Sequence, residues 1–249
     1  MLNFLFVISL VAAGAASDGS RSLSDTGVSL GADTTGNAAP VKNSKMLFTV
    51  SPVVSGSFTS FLIQNIVALE KVMEGVNENN EAEIRKRDPQ LRKIVSSILD
   101  LEALGRAALI THWDALGKTP AGKKQRDRYM KLFHELVEEN YMEKIRVYIG
   151  GNYKITFMGE SQTKKGTVAE AKIKKKDADL MVDFLAVKRD GAWHMIDTKL
   201  DDTSLEETYR GSFNRIIKKH GGLKNGFPEL LKVMEKRLAE LKKGKATKL

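Results

Sequence analysis

The sequence predicts an α+β fold, in which helices pack on one face of an antiparallel sheet. Two observations predict it. Large apolar residues recur at spacings of three and four over residues 58–76 and 129–148, which is typical of helices that bury one face. They alternate with polar residues over residues 153–200, which is typical of half-buried strands. Because helical spacing returns at residue 205, we expect a four-stranded sheet between two groups of helices.

The first 54 residues are predicted to lie outside the folded domain. Residues 1–16 combine a short apolar run with small residues, as a secretory signal peptide does, and the run is shorter than the roughly 20 residues of a membrane span. No Lys or Arg precedes the run, so the usual positive start is missing. Residues 17–54 are predicted to be a flexible linker, because large apolar residues are few over residues 17–45 and the apolar stretch at 46–54 is interrupted by Pro52 and predicts no particular element. We therefore expect a domain at 55–243, followed by a basic tail at 244–249.

Helix boundaries before the sheet are predicted from capping residues. Asp88 precedes a proline, and this pairing of a cap with proline at the first helical position predicts a helix start. Asp100 is predicted to cap the next helix. Thr119 also precedes a proline and is predicted to open a long helix that ends before Gly150.

Four strands are predicted after the long helix, each with one apolar face. The residues that share such a face are Tyr153, Ile155 and Phe157 in the first strand, Ala169, Ala171 and Ile173 in the second, and Leu180, Val182, Phe184 and Ala186 in the third. The fourth strand places His194, Ile196, Thr198 and Leu200 on one face and Trp193, Met195, Asp197 and Lys199 on the other.

Two helices are predicted after the sheet. Ser204 and Glu207 have the spacing of a capping box, in which each side chain bonds the other residue's backbone N–H. The helix that follows is predicted to end at the glycine pair after His220. A last amphipathic helix is predicted over residues 227–241.

The composition argues against several function classes. The chain has no cysteine, so it has neither a disulfide framework nor a thiolate site. Its four histidines are far apart and lack the spacing of metal ligands. No phosphate-binding loop, dinucleotide fingerprint or nucleophile elbow is present. The sequence therefore predicts neither a catalytic centre nor a metal site.

The formal charge of +9 predicts attraction to anionic surfaces. The lysines do not predict a nucleic-acid interface, because they fall at turns and solvated strand faces without aromatic residues between them. These lysines are Lys164, Lys165, Lys172, Lys174, Lys175, Lys176, Lys218 and Lys219. Solubility is the simplest use of such a surface, and docking to an acidic membrane or partner is the alternative.

An acid/base pair is a second alternative. Asp183 and Asp197 belong to neighbouring predicted strands, and two carboxyl groups with different environments can divide the roles of acid and base. This pairing would suit a small-molecule isomerase or hydratase with a cone-shaped α+β fold. Exposed carboxylates are common on strands, so the spacing alone favours this alternative weakly.

A resemblance to a known family is carried by two stretches. Near the C-terminus it consists of Trp193, Asp197, Ser204, Leu205, Tyr209, Arg210 and Phe213, and in the long helix of Phe133, Leu136, Tyr141, Ile145 and Tyr148. These residues resemble the signature of the MlaC family, also called the toluene-tolerance or ABC-transporter auxiliary component family. Asp100, Leu101 and Trp113 match a further stretch. The chain departs from the family at Asp202 and Thr203, where a glycine and an apolar residue are usual.

The resemblance implies a curved sheet whose helices enclose an apolar cavity for phospholipid tails. We predict that the cavity is lined by Trp113, Phe133, Val137, Tyr141, Ile145, Tyr148, Ile155, Phe157, Val182, Phe184, Ile196, Leu200, Tyr209, Phe213 and Ile217. Tyr209 and Arg210 are expected at the cavity mouth or as structural contacts. A carrier of this kind needs no cofactor beyond its bound phospholipid.

The function that the resemblance implies is phospholipid transport in the periplasm, which maintains outer-membrane lipid asymmetry. The expected partners are an outer-membrane lipoprotein complex and an inner-membrane ABC transporter complex with a lipid-binding substrate domain. We expect a monomer that does not bind nucleic acid. The isomerase or hydratase and a non-catalytic interaction domain with a filled core remain the alternatives.

Overall fold

A layer of helices covers one face of the sheet. The computed structural model describes residues 47–50, 54–77, 80–148, 154–175 and 178–243. The predicted signal peptide, most of the predicted linker, the predicted basic tail, Gly150 and Tyr153 lie outside these residues.

Seven helices are described. Five precede the long strands of the sheet: α1 (Phe58–Met73), α2 (Glu81–Ile98), α3 (Leu101–Ala108), α4 (Ile110–Gly117) and α5 (Pro120–Tyr148). Two follow it: α6 (Leu205–Lys219) and α7 (Leu223–Lys242). The α+β class predicted from the sequence is confirmed.

The prediction of four strands is wrong, because the described residues form five antiparallel strands and a parallel edge strand. The sheet has the order β1-β2-β3-β4-β5-β6. Its strands are β1 (Leu47–Val50), β2 (Lys154–Thr163), β3 (Gly166–Lys175), β4 (Ala178–Arg189), β5 (Ala192–Leu200) and β6 (Thr203–Ser204). β6 pairs with β5 over two residues, which is too short to produce an alternating pattern. β1 pairs in parallel with β2 and lies within the range predicted to be linker.

Two β-bulges change the alternation of the strands. Met158 is the extra residue of β2 between Phe157 and Gly159, and its side chain is exposed. Ile196 is the extra residue of β5 between Met195 and Asp197. A bulge places two residues opposite one and moves the following side chains to the other face. The single alternating pattern predicted for β5 is therefore interrupted at Ile196, and Met195 is buried on the same face as Leu200.

Three predicted helix caps are confirmed by hydrogen bonds. Asp100 Oδ1 accepts from the backbone N–H of Ala103 at 2.8 Å, at the start of α3. Thr119 Oγ1 accepts from the N–H of Gly122 at 3.0 Å, at the start of α5. Ser204 Oγ accepts from the N–H of Glu207 at 3.2 Å, at the start of α6. Each bond satisfies an N–H group that the first helical turn leaves without an intrahelical partner.

The helix predicted to start at Asp88 starts earlier. Asn80 is its cap, since its Oδ1 accepts from the N–H of Glu83 at 3.2 Å, and Pro89 lies inside the helix. Ile84 explains the difference, because it is 3% exposed and lies two turns before Leu91 on the same buried face. This apolar contact extends α2 through the proline. In the same way, α7 begins at Leu223 rather than at residue 227.

Candidate functional site

The apolar face of the sheet brings together five of the predicted lining residues. Ile155, Phe157, Val182 and Phe184 are at most 2% exposed, and Leu200 is 7% exposed. They lie on β2, β4 and β5, and the strand register places Phe157, Ala171, Val182 and Leu200 in one row across the sheet. We call Ile155, Phe157, Ala169, Ala171, Val182, Phe184 and Leu200 the apolar sheet face. It offers hydrocarbon contact from four neighbouring strands.

Alanines separate the larger side chains of the apolar sheet face. Ala171 lies between Phe157 and Val182, and Ala169 lies beside Phe184. Both alanines are fully buried, as are Val182 and Phe184, so water does not reach this part of the face. The open cavity that the resemblance implies is therefore not seen against these described residues.

Three other predicted lining residues belong to a cluster of rings in the helical layer. The aromatic cluster consists of Tyr129, Phe133, Tyr209, Phe213 and Phe227, which come from α5, α6 and α7. The centroids of Phe133 and Tyr209 are 5.1 Å apart, and those of Tyr129 and Phe213 are 5.8 Å apart, both in edge-to-face geometry. Such pairs are favourable beyond the area they bury. The cluster therefore holds the three helices together.

Buried polar groups adjoin the aromatic cluster. Tyr129 donates from its hydroxyl to the carbonyl oxygen of Gly105 at 2.9 Å. Burial raises the pKa of Tyr209, although a hydrogen bond with Asn140 and the charge of Arg237 act in the opposite direction. Burial also raises the pKa of Tyr141, with smaller contributions from Tyr209 and Asp197. Both phenols therefore stay neutral at any physiological pH.

Asp197 is a helix cap. Its Oδ2 accepts from the hydroxyl of Ser204 at 2.6 Å, and its Oδ1 accepts from the N–H of Glu206 at 3.0 Å. The register pairs Asp197 with Leu185 and places it, like Asp183, on the face of the sheet opposite Val182. The Asp183 carboxyl group lies on the side away from Val182, and the Asp197 carboxyl group is buried and occupied by these two bonds, so the geometry does not favour the isomerase or hydratase alternative.

The described residues offer no metal-binding cluster of three or more His, Asp or Glu side chains. Within the same residues, none of the helices has the length and hydrophobicity that crossing a membrane requires.

Comparison with known protein families identifies the family of this chain. The family described as "MlaC protein" matches residues 67–236, which is more than half of the chain. This protein belongs to the MlaC family. No curated protein sequence matches the chain.

A solved structure shares the fold of this MlaC-family chain. It is the phospholipid-binding protein from Ralstonia solanacearum, solved in complex with a phospholipid. The two chains are 18% identical, with a TM-score of 0.57 over 74% of this chain and 97% of the other. At this identity the likeness concerns the fold.

The remaining predicted lining residues of this MlaC-family protein have different positions. Val137, Tyr141 and Ile217 are buried in the helical layer, and Gly226 of α7 lies directly against the backbone of Ile217. Ile145 and Tyr148 belong to the last turns of α5 and stay predictions.

Two predicted lining residues reach the surface in part. Ile196 is half-buried at its bulge, and the fully buried Met195 was not predicted to line the site. Trp113 is also half-buried, and the guanidinium carbon of Arg126 lies 4.1 Å from the centroid of its ring. No residue pattern within β5 predicts the bulge, because a bulge depends on how β5 pairs with β4.

Arg210 makes local ion pairs. Its Nη1 lies 2.5 Å from Glu206 Oε1, and its Nη2 lies 3.7 Å from Glu207 Oε1. Both carboxylates lie in the first turn of α6, one turn before the arginine. Of the two roles expected for this family position, the geometry favours the structural one.

Proposed function

We propose that this protein carries phospholipid through the periplasm and holds the acyl chains against the apolar sheet face. The observation that carries the proposal is the row of Phe157, Ala171, Val182 and Leu200 in a chain of the MlaC family. The phospholipid bound by the protein of similar fold supports it. Export would follow from the signal peptide predicted at residues 1–16.

The energetic need for such a carrier is large. Two acyl chains contain about 30 methylene groups, and exposing each to water costs about 0.8 kcal/mol, or roughly 24 kcal/mol in all. A phospholipid therefore does not cross an aqueous compartment unaided at a useful rate. A carrier that buries the tails and leaves the headgroup in water removes this cost, and its selectivity follows tail length and number.

Loading requires whatever covers the apolar sheet face to give way, because water does not reach Val182 or Phe184. Helix α1 contacts β2 and β3, and its buried residues include Leu62 and Ile66. In our proposal the tails enter between α1 and the sheet and replace these contacts.

The proposed lipid site is tested by a bulky substitution and a matched control. Val182→Trp adds volume on the apolar sheet face, and overpacking a buried site costs about 1–3 kcal/mol. Met181→Trp places the same side chain on the opposite face of β4, where Met181 is 40% exposed. Native mass spectrometry of each purified protein measures the fraction that carries diacyl lipid.

We expect the lipid-bound fraction to fall about tenfold in Val182→Trp and to stay unchanged in Met181→Trp. Circular dichroism checks that both variants fold. Equal lipid content in the two variants, or a wild-type protein that takes up no lipid from vesicles, would contradict the proposed site.

The transport route is part of the same proposal. The monomeric carrier would receive lipid at one membrane complex and release it at the other, one being an outer-membrane lipoprotein complex and the other an inner-membrane ABC transporter complex. ATP hydrolysis would belong to the transporter, since this sequence has no phosphate-binding loop. Site-specific crosslinking in cells, followed by identification of the captured proteins, tests the two partners.

A further inference from the structure

A rigid corner forms where α4 ends and α5 begins. Two residues connect the helices, and the side chain of Thr119 caps the second one. Gly122 packs so closely that a Cβ atom there would lie 2.0 Å from the carbonyl oxygen of Leu116. The corner therefore has a fixed shape. We call Arg106, Ile110, Trp113, Lys118, Lys123, Lys124 and Arg126 the basic corner.

Apolar and cationic groups lie side by side in the basic corner. Ile110 is 60% exposed, and Trp113 follows it by three residues on α4. The guanidinium carbon of Arg126 lies 4.1 Å from the centroid of the Trp113 ring, and that of Arg106 lies 5.4 Å from it. Arg126 also donates from Nη1 to the carbonyl oxygen of Trp113 at 3.4 Å. These contacts hold the tryptophan at the surface.

Most of the positive charge of the basic corner is unpaired: among its residues only Arg106 forms an ion pair in the described part of the chain, with Glu102, and the neighbouring Arg128 is paired with Glu235. Residues 118–128 contain five Lys or Arg residues and one acidic residue. Lys118, Lys123 and Lys124 are exposed, and none of them forms an ion pair in the part of the chain that the structure describes. The N-terminus of α5 adds the positive end of a helix dipole.

The second half of α5 differs from the first in that several of its carboxylates form ion pairs. Three of its carboxylates, Glu135, Glu138 and Glu139, are paired with Lys242 or Arg92 at 2.6–3.6 Å. Among the described side chains of α5, the cations without an ion pair are Lys123, Lys124, Arg126 and Lys131, all within its first twelve residues.

We propose that the basic corner docks on the surface of an anionic phospholipid bilayer. Ile110 and Trp113 enter the boundary between headgroups and acyl chains, and the lysines and arginines lie over the anionic headgroups. Tryptophan is enriched at this boundary, and each cation near the surface adds to the attraction. The docked protein exchanges lipid with a partner complex while it is held at the membrane.

An acidic protein partner fits the corner less well than a bilayer does. A stable protein interface buries about 800 Å² on each partner around an apolar centre. The basic corner exposes a single large aliphatic side chain, Ile110, surrounded by cations. A fluid anionic surface needs no matching pocket and suits a small apolar tip within a positive field.

Vesicle co-sedimentation tests the inference with the purified protein. The vesicles contain phosphatidylcholine alone or with 30% phosphatidylglycerol, at low and high salt. The test variant is Lys123→Glu with Lys124→Glu. The matched control is Lys164→Glu with Lys165→Glu, which makes the same change in net charge at the exposed turn between β2 and β3. A third variant, Ile110→Ser, removes the apolar tip.

We expect wild-type binding only to the anionic vesicles, and less of it at high salt. Removing one cation near the membrane surface lowers the affinity for anionic vesicles about fivefold. The test variant reverses the charge of two lysines, so it should bind these vesicles at least 30-fold more weakly than the wild type. The control variant should lose less than threefold. Ile110→Ser should weaken binding severalfold and keep the salt dependence.

Three results would overturn the inference: equal losses in the test and control variants, equal binding to neutral vesicles, or no vesicle binding by the wild type. The last result would leave an acidic protein as the partner of the corner. Lipid content by native mass spectrometry is measured on the same samples. Corner variants should keep their lipid, so a failure of docking and a failure of lipid carriage are distinguished.

Discussion

The aromatic cluster and the apolar sheet face are equally buried but differently built. In the cluster, five rings contact one another at centroid distances of 5.1–6.2 Å, and Tyr129 also has a hydrogen-bond partner. On the sheet face, Phe157 and Phe184 make no ring contact within the described residues and have alanines as cross-strand neighbours. Mutual ring contacts fix a structure, whereas small side chains between large ones leave positions that another hydrocarbon can fill.

This difference divides the predicted lining residues into two groups. Phe133, Tyr209 and Phe213 hold helices together, and Ile155, Phe157, Val182, Phe184 and Leu200 offer a surface for acyl chains. The first group should respond to substitution through stability, and the second through lipid content.

The largest effect is expected for Phe133→Ala. The Phe133 ring contacts three other rings of the cluster and is fully buried, so its loss should lower the free energy of unfolding by about 3–5 kcal/mol. Chemical denaturation measures this change. The lipid carried per folded molecule should not change. If lipid content fell while stability held, the cluster would belong to the lipid site and the division would be wrong.

A smaller loss of stability is expected for Asp197→Ala, which removes hydrogen bonds between the sheet and the helical layer that contains the aromatic cluster. Asp197 lies on β5 and accepts two hydrogen bonds at the start of α6, the helix that carries Tyr209. Removing a charged acceptor leaves Ser204 and the N–H of Glu206 without their partner, at a cost of about 2–3 kcal/mol. Thermal unfolding measures the loss. Asp183→Ala, on the same face of the sheet, is the control and should lower the midpoint temperature of unfolding much less than Asp197→Ala does.

Local chemistry made much of the fold predictable. Asp100, Thr119 and Ser204 cap helices through bonds to residues three positions away, and such short spacings are visible in one sequence. The alternation of β2 to β4 was visible for the same reason. β6 and the bulge at Ile196 were not predictable, because both depend on pairing with another strand.

The sequence also did not show which predicted lining residues belong to the aromatic cluster and which to the apolar sheet face. Phe133 and Phe184 each repeat at the spacing of their own element, and this spacing says only that a side chain is buried. Their partners decide the role: Phe133 meets Phe213, which is 80 positions away, and Phe184 meets Ala169. The spacing of Trp113 likewise says only that it is partly buried: its ring packs against the hydrophobic core and also contacts Arg106 and Arg126.

Ala171→Leu should change stability less than the two preceding variants and lipid content more. It adds three carbons in the row between Phe157 and Val182, and filling a packed site costs about 1–3 kcal/mol. If acyl chains lie against this alanine, the larger side chain should shift the co-purified lipid toward shorter chains. Mass spectrometry of the extracted lipid measures chain length. An unchanged chain-length distribution would place the tails elsewhere.

The smallest effect is expected outside both regions, at the ion pair between Glu135 of α5 and Lys242 of α7. The hydrogen bond from Lys242, 2.8 Å long, lowers the pKa of the Glu135 carboxyl below its usual value. A carboxyl with a lowered pKa in the folded state stabilises the fold above its unfolded pKa, and this contribution is lost as the pH falls through the folded pKa. Both side chains are largely solvated, so the pair contributes at most about 0.5 kcal/mol. The difference in unfolding free energy between wild type and Lys242→Met should therefore be small near pH 7 and disappear as the pH falls through the lowered pKa of Glu135. A difference above 1 kcal/mol at pH 7 would mean that the packing of α5 on α7 depends on this surface pair as well as on the ring contact between Tyr129 and Phe227.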